Sequence, residues 1–208
     1  MLSYLSCQWS KLSNDLSHLP AELISVSLVA DPFSALTVGE LRQMFRIVRP
    51  LHNHYVVDLT NPCSLSPSRH HQRKLRQVTP GINIAIVNDP PTLLDEWLEL
   101  YHTLSQKHGI RGLRRFTSTI FAKQLHVPGT VVFSACLGNR LIGVDWYFID
   151  EERVFAHLSA YSQEGYDHSV SYPMMAAAIE HFRTRLSVLD LGGTPVVSAL
   201  EPSIVSLK

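Results

Sequence analysis

Alternation of apolar and polar residues organises the second half of the chain. Residues 130–137, 140–149 and 153–161 predict three strands, the first two joined by Gly138-Asn139, a two-residue turn with glycine first. A helical period then takes over. An amphipathic helix is expected over about 169–185, opened by Ser169-Val-Ser-Tyr-Pro, with Pro173 tolerated in its first turn. A strand at 187–191 follows and ends in Gly192-Gly193. Upstream, Leu93, Leu94, Trp97, Leu100, Tyr101 and Leu104 recur at helical spacing behind Thr92 as the cap, and Lys107-His108-Gly109 closes that helix. Another helix is expected over 116–125, stopped before Pro128.

The first half reads less sharply. Leu23 to Ala30 is a β-rich run, ended by Asp31-Pro32. Thr37 can cap a short helix through Val48, with Leu41, Met44, Phe45 and Val48 on its apolar face. A strand at 54–59, a turn-rich stretch, a basic helix at about 67–78 and a strand at 82–87 complete the pattern. Successive antiparallel strands and one helical crossover indicate an α/β (α+β) fold: a mixed, mostly antiparallel sheet flanked by helices.

Composition narrows the function. The chain has 208 residues, enough for one domain or two small lobes, and 45% of them are hydrophobic. Lys plus Arg equals Asp plus Glu, so the formal net charge is zero. Neutrality argues against a nucleic-acid partner, which requires a concentrated positive field. Cys7, Cys63 and Cys136 are too scattered for a zinc site or a disulfide framework, so reduced thiols and no metal are expected. The start lacks a signal-peptide pattern, and no window approaches the ~20 apolar residues of a membrane span. A cytoplasmic protein is the expectation, with the oligomeric state left open.

Candidate chemistry gathers around the strand at 153–161. Strict alternation puts Val154, Ala156, Leu158 and Ala160 on one face and Phe155, His157, Ser159 and Tyr161 on the other. His157 can act as a base near neutral pH, and Tyr161, Tyr166 or Tyr172 can supply a hydroxyl proton; a half-buried polar face accounts for the same residues. The helix start at Ser169 would expose N–H groups suited to a phosphate. Arg111, Arg114, Arg115 and Phe116 can recognise an anionic group or form a solvated turn. Arg69, Arg73 and Arg76 share a helix face with Lys74 nearby, and a solvated face explains them more simply than a tRNA site. Neither His52-Asn-His54 nor His70-His71 makes a metal site.

These motifs together resemble the Fem-type branch of the GNAT (N-acetyltransferase-like) superfamily. The resemblance rests on Tyr55-Val-Val-Asp-Leu59, the basic cluster Arg69 to Arg76, Ile82 to Ile86, Lys107-His-Gly-Ile110, the hairpin at Gly138, His157-Leu-Ser-Ala160 and Leu189-Asp-Leu-Gly-Gly193. It implies a partial N-terminal lobe over 1–79 and a GNAT-like acyltransferase lobe over 80–208. It also implies transfer of an acyl group from acetyl-CoA or another acyl-CoA to a small-molecule amine. The roles it implies are catalysis by His157, Tyr161 and Tyr172, with cofactor contacts from Ser159, Ser162, Ser169, Ser171, Gly192 and Gly193. Arg111, Arg115 and Phe116 would bind the acceptor. A Gln/Arg-x-x-Gly-x-Gly/Ala signature is missing, and the structure that closes the lobe after Gly193 is not evident. A truncated, non-catalytic relative acting as a binding or structural protein therefore stays open as the alternative.

Overall fold

The computed structural model describes residues 9–31, 33–50, 53–63, 65–112 and 115–193. Contacts divide the chain into one unit made of residues 1–54 and 193–208 and a second made of Tyr55–Gly192. In the first unit a 3-10 turn at Trp9–Lys11 leads into α1 (Leu12–Ser17), with Trp9 and Leu12 buried. Thr37 caps α2 (Val38–Met44) as expected: its hydroxyl accepts from the Glu40 N–H, and the Glu40 carboxylate accepts from the Thr37 N–H at 2.7 Å. The helix stops at Met44, and Phe45 is already extended.

The strand expected at 23–30 is not formed. The segment is irregular, with Ile24 fully exposed and Leu23 half exposed. Residues with β propensity need a neighbouring strand and a face to bury, and this run has neither among the described residues.

The second unit is built on a six-stranded sheet in the order β1-β6-β5-β4-β3-β2. Its strands are β1 (His54–Asp58), β2 (Ile82–Ile86), β3 (Thr130–Leu137), β4 (Arg140–Asp150), β5 (Arg153–Tyr161) and β6 (Val188–Gly193). From β2 through β5 every pairing is antiparallel, and β5 pairs with β6 in parallel. The mixed, mostly antiparallel sheet and the meander over β3 to β5 are as the alternation predicts.

Helices cover both faces. On one side lie α4 (Leu94–His108) and α5 (Ser118–Gln124), burying Trp97, Leu100, Tyr101 and Phe121 against Val144 and Trp146 of β4. On the other lies α7 (Ser171–Phe182), whose Met174, Ala178 and Phe182 pack on Tyr147, Val154 and Leu189. The basic helix α3 (Arg69–Arg76) packs against α7 and is capped by Ser68.

Two caps differ from expectation. A 3-10 turn at Pro90–Leu93 precedes α4, so Thr92 sits inside that turn and its hydroxyl donates back to the Asp89 carbonyl at 2.7 Å. A separate short helix, α6 (Gln163–Asp167), fills the stretch before α7, and α7 starts at Ser171. Ser169 is therefore no cap: it adopts φ 54°, a left-handed kink between the two helices.

Candidate active site

The parallel pairing of β5 with β6 is short. It covers Arg153 with Val188, Val154 with Leu189 and Phe155 with Asp190, while β5 runs on to Tyr161. Both strands have a local reason to part there. On β5, the register against β4 skips His157, since Trp146 faces Leu158 and Tyr147 faces Ala156. Such a bulge bends a strand and increases its twist. On β6, the Asp190 carboxylate accepts the Gly192 N–H at 2.8 Å, and Gly192 takes φ +87°, a departure from extended geometry just past the last pair with β5. Among the described residues, β5 beyond Phe155 has no ladder partner on its β6 side. Ser159, in the middle of a sheet, is accordingly exposed.

The bulge also corrects the facing of the strand. Val154 and Ala156 pack in the core beneath α7, but Leu158 and Ala160 pack in the core beneath α4 and α5. One extra residue inverts the alternation for everything after it. His157 and Tyr161, which strict alternation sets on one face, therefore lie on opposite faces.

His157 lies on the α4–α5 side, with its ring among Phe116, Trp146 and Phe148 at centroid distances of 6.0, 5.4 and 4.8 Å. Its Nε2 is 3.3 Å from Gln124 Oε1 on α5. Burial pushes the imidazole pKa down to about 4, so the ring is neutral at physiological pH. Phe116 connects it to an open depression of about 520 Å³, lined also by Leu98, Tyr101, His102, Arg115 and Ser118. The Tyr101 hydroxyl holds this turn by accepting the Phe116 N–H at 3.1 Å. Phe116 and Arg115 thus line one depression, and Phe116 alone of the two touches His157; Arg111 is exposed nearby in sequence, and Arg114 lies outside the described residues.

Tyr161 lies on the α7 side. Its hydroxyl donates to Asp145 Oδ1 at 2.5 Å, and the Tyr147 hydroxyl donates to Oδ2 at 3.4 Å. Asp145 is 1% exposed, and burial raises its carboxyl above the ordinary range. Sequence reading missed Asp145, although an acidic residue inside the apolar run Leu141–Phe148 is itself a signal. Tyr172, another of the expected hydroxyls, bonds His70 Nε2 of α3 at 3.0 Å.

The expected phosphate-binding helix start is largely closed by its own backbone. The Tyr172 N–H bonds the Ser169 carbonyl, the Met174 N–H bonds the Val170 carbonyl, and Pro173 has no N–H. Ser169 instead receives a hydrogen bond from the Lys74 ammonium at 3.3 Å. Ser171 is half-buried in the first turn, and Ser162 caps α6 by accepting the Gly165 N–H at 3.1 Å. Gly192 and Gly193 end β6 as expected. Among the described residues, no three His, Cys, Asp or Glu side chains are grouped to hold a metal, and no helix is long and apolar enough to cross a membrane.

The described residues thus form a mostly antiparallel sheet with helices on both faces, in which β5, bulged at His157, pairs in parallel with β6 over three residue pairs. A family model for the acetyltransferase (GNAT) domain matches residues 68–196, more than half of the chain, and the chain belongs to that family. No curated protein matches it in sequence. Among solved structures it is similar to FemX, with a TM-score of 0.57 and 12% identity over 74% of this chain and 55% of that one. It is also similar to the C-terminal domain of a protein assigned as a lysylphosphatidylglycerol synthetase from Agrobacterium fabrum, with a TM-score of 0.54 and 16% identity over 69% and 47% of the two chains. A protein of unknown function from Bacteroides thetaiotaomicron gives a TM-score of 0.52 at 12% identity, over 68% and 50%. The chain spans about half the length of these solved relatives.

Proposed function

We propose that the protein transfers an acyl group from an acyl-CoA to a small-molecule amine. The observation that carries this reading is the splay. Beyond Phe155, β5 offers an unpaired strand edge beside an exposed Ser159. An extended, amide-bearing arm such as pantetheine can hydrogen-bond to such an edge in the manner of a missing strand. The zero net charge favours CoA over aminoacyl-tRNA as the carrier.

In this reading the thioester lies at the narrow end of the splay, close to the bulge, and the acceptor enters over Phe116 and Arg115. The amine nitrogen attacks the thioester carbonyl, a C–N bond forms and the C–S bond breaks. His157 takes the proton released by the amine, and the thiolate is reprotonated from solvent. The burial that keeps His157 unprotonated at neutral pH also makes it a weak base, so aromatic packing supplies orientation more than driving force.

Calorimetric titration with acetyl-CoA and with CoA tests the donor, followed by detection of free thiol when a panel of amines is added. Micromolar binding and amine-dependent thiol release are expected. Folded protein that binds neither nucleotide at millimolar concentration would overturn this reading in favour of a non-catalytic relative.

A further inference from the structure

The acyl transfer described above has no use for a carboxyl on the α7 face of the sheet, yet Asp145 is buried there among hydroxyls. Tyr161 and Tyr147 donate to it, and Ser159, its cross-strand neighbour on β5, also hydrogen-bonds to it. Burying a carboxyl without a cation is costly, and burial does raise this one above the ordinary carboxylate range. What the arrangement fixes is Tyr161. Its ring crosses over Gly143, where a Cβ would come within 2.7 Å of Cδ1. The chain then turns directly onto β4: the Ser162 N–H donates to the Ile142 carbonyl at 3.0 Å, and Gly165 lies so close to that carbonyl that a Cβ would overlap it. The Val170 N–H donates to the Gly165 carbonyl at 3.0 Å and leads into α7. Tyr161 is thus the pin at which β5 stops and the segment before α7 is laid down.

Position along the strand says what the pin controls. Four residues of extended chain separate Tyr161 from His157, about 13 Å. Tyr161 therefore marks the open end of the splay, a pantetheine arm's reach from the bulge. We propose that Asp145 is a positioning residue which, through the Tyr161 hydroxyl, fixes the open end of the donor groove and makes the enzyme prefer donors long enough to reach it. This inference rests on the acyltransferase reading.

The test compares two thioesters, acetyl-CoA and S-acetyl-N-acetylcysteamine, which lacks the nucleotide and most of the arm, with hydroxylamine as the acceptor. The measured quantity is the ratio of kcat/KM for the two donors. Tyr161→Phe should lower that ratio about tenfold, the size of one lost buried hydrogen bond, through KM for acetyl-CoA. Asp145→Ala should do the same, the double variant should be no worse than either single one, and Asp145→Asn, which still offers Oδ1, should recover most of the ratio. If Asp145→Ala fails to fold, Tyr161→Phe and Asp145→Asn carry the comparison. An unchanged ratio in Tyr161→Phe overturns the inference alone. A ratio that falls through kcat with KM constant also overturns it, because the hydroxyl would then not act through binding of the donor arm. No turnover of either donor by the unsubstituted protein overturns the acyltransferase reading and this inference with it.

Discussion

Gly143 and Tyr161 are cross-strand partners, and the ring of the second occupies the space that a side chain on the first would need. A Cβ on Gly143 would lie 2.7 Å from Tyr161 Cδ1 and 3.1 Å from Val170 Cγ1. Only with that space empty can the phenol lean diagonally to Asp145.

Gly143→Ala should therefore destabilise the protein by about 1–3 kcal/mol through overpacking, although alanine is otherwise welcome in a core. Urea unfolding should show a lower midpoint at an unchanged slope. A midpoint equal to that of the parent would mean that Tyr161 yields without cost.

Trp97 is 1% exposed and packs edge-on against Phe121 and Trp146 at centroid distances of 5.5 and 5.4 Å. Trp97→Ala should cost ~3–5 kcal/mol. Its indole nitrogen is buried with no partner among the described residues, so Trp97→Phe should cost well under half as much, because it removes an unsatisfied donor along with the lost volume. Paired urea titrations of the two variants read the difference.

The His157 pKa is depressed from 6.5 to about 4 by burial, so the unfolded chain takes up that proton first. Its contribution to stability is complete above about pH 6.5, is lost as pH falls toward 4, and changes no further below that. At full effect the loss is up to ~3 kcal/mol. His157→Leu should flatten this limb in urea midpoints taken between neutral and acidic pH; an equally steep fall in the variant would assign the limb to other groups.

If His157 is the base, His157→Gln should lower kcat by roughly 10²–10⁴ while acetyl-CoA affinity, measured by calorimetry, is retained. Parallel losses of affinity and turnover would make it a packing residue.

The parts legible in the sequence were those set by local rules. The meander from Thr130 to Tyr161 followed from period-two patterning and the Gly138 turn, and the α2 start from the spacing of Thr37 and Glu40. Rules that need a neighbour were not legible. The run from Leu23 to Ala30 has the composition of a strand but no partner to pair with. Thr92 and Ser169 look like caps, yet Thr92 lies within an extra 3-10 turn and Ser169 follows the extra helix α6, and each extra turn moves the true start downstream. The His157 bulge exists only as a mismatch between two strands, so alternation along one of them cannot reveal it, and the grouping of His157 with Tyr161 failed for that reason. Asp145 was within reach, as an acidic residue inside the apolar run Leu141–Phe148, two residues after Gly143.

The brevity of the β5–β6 ladder also bears on the order in which the protein folds. The antiparallel strands β3, β4 and β5 are joined by tight turns and can zip together from local contacts. The next strand along, β6, must wait until α6 and α7 have been laid across the sheet, and its ladder to β5 then holds only three residue pairs. The groove is thus the last region to close and the first to open, so a ligand that completes the ladder would act on the unfolding rate more than on the folding rate.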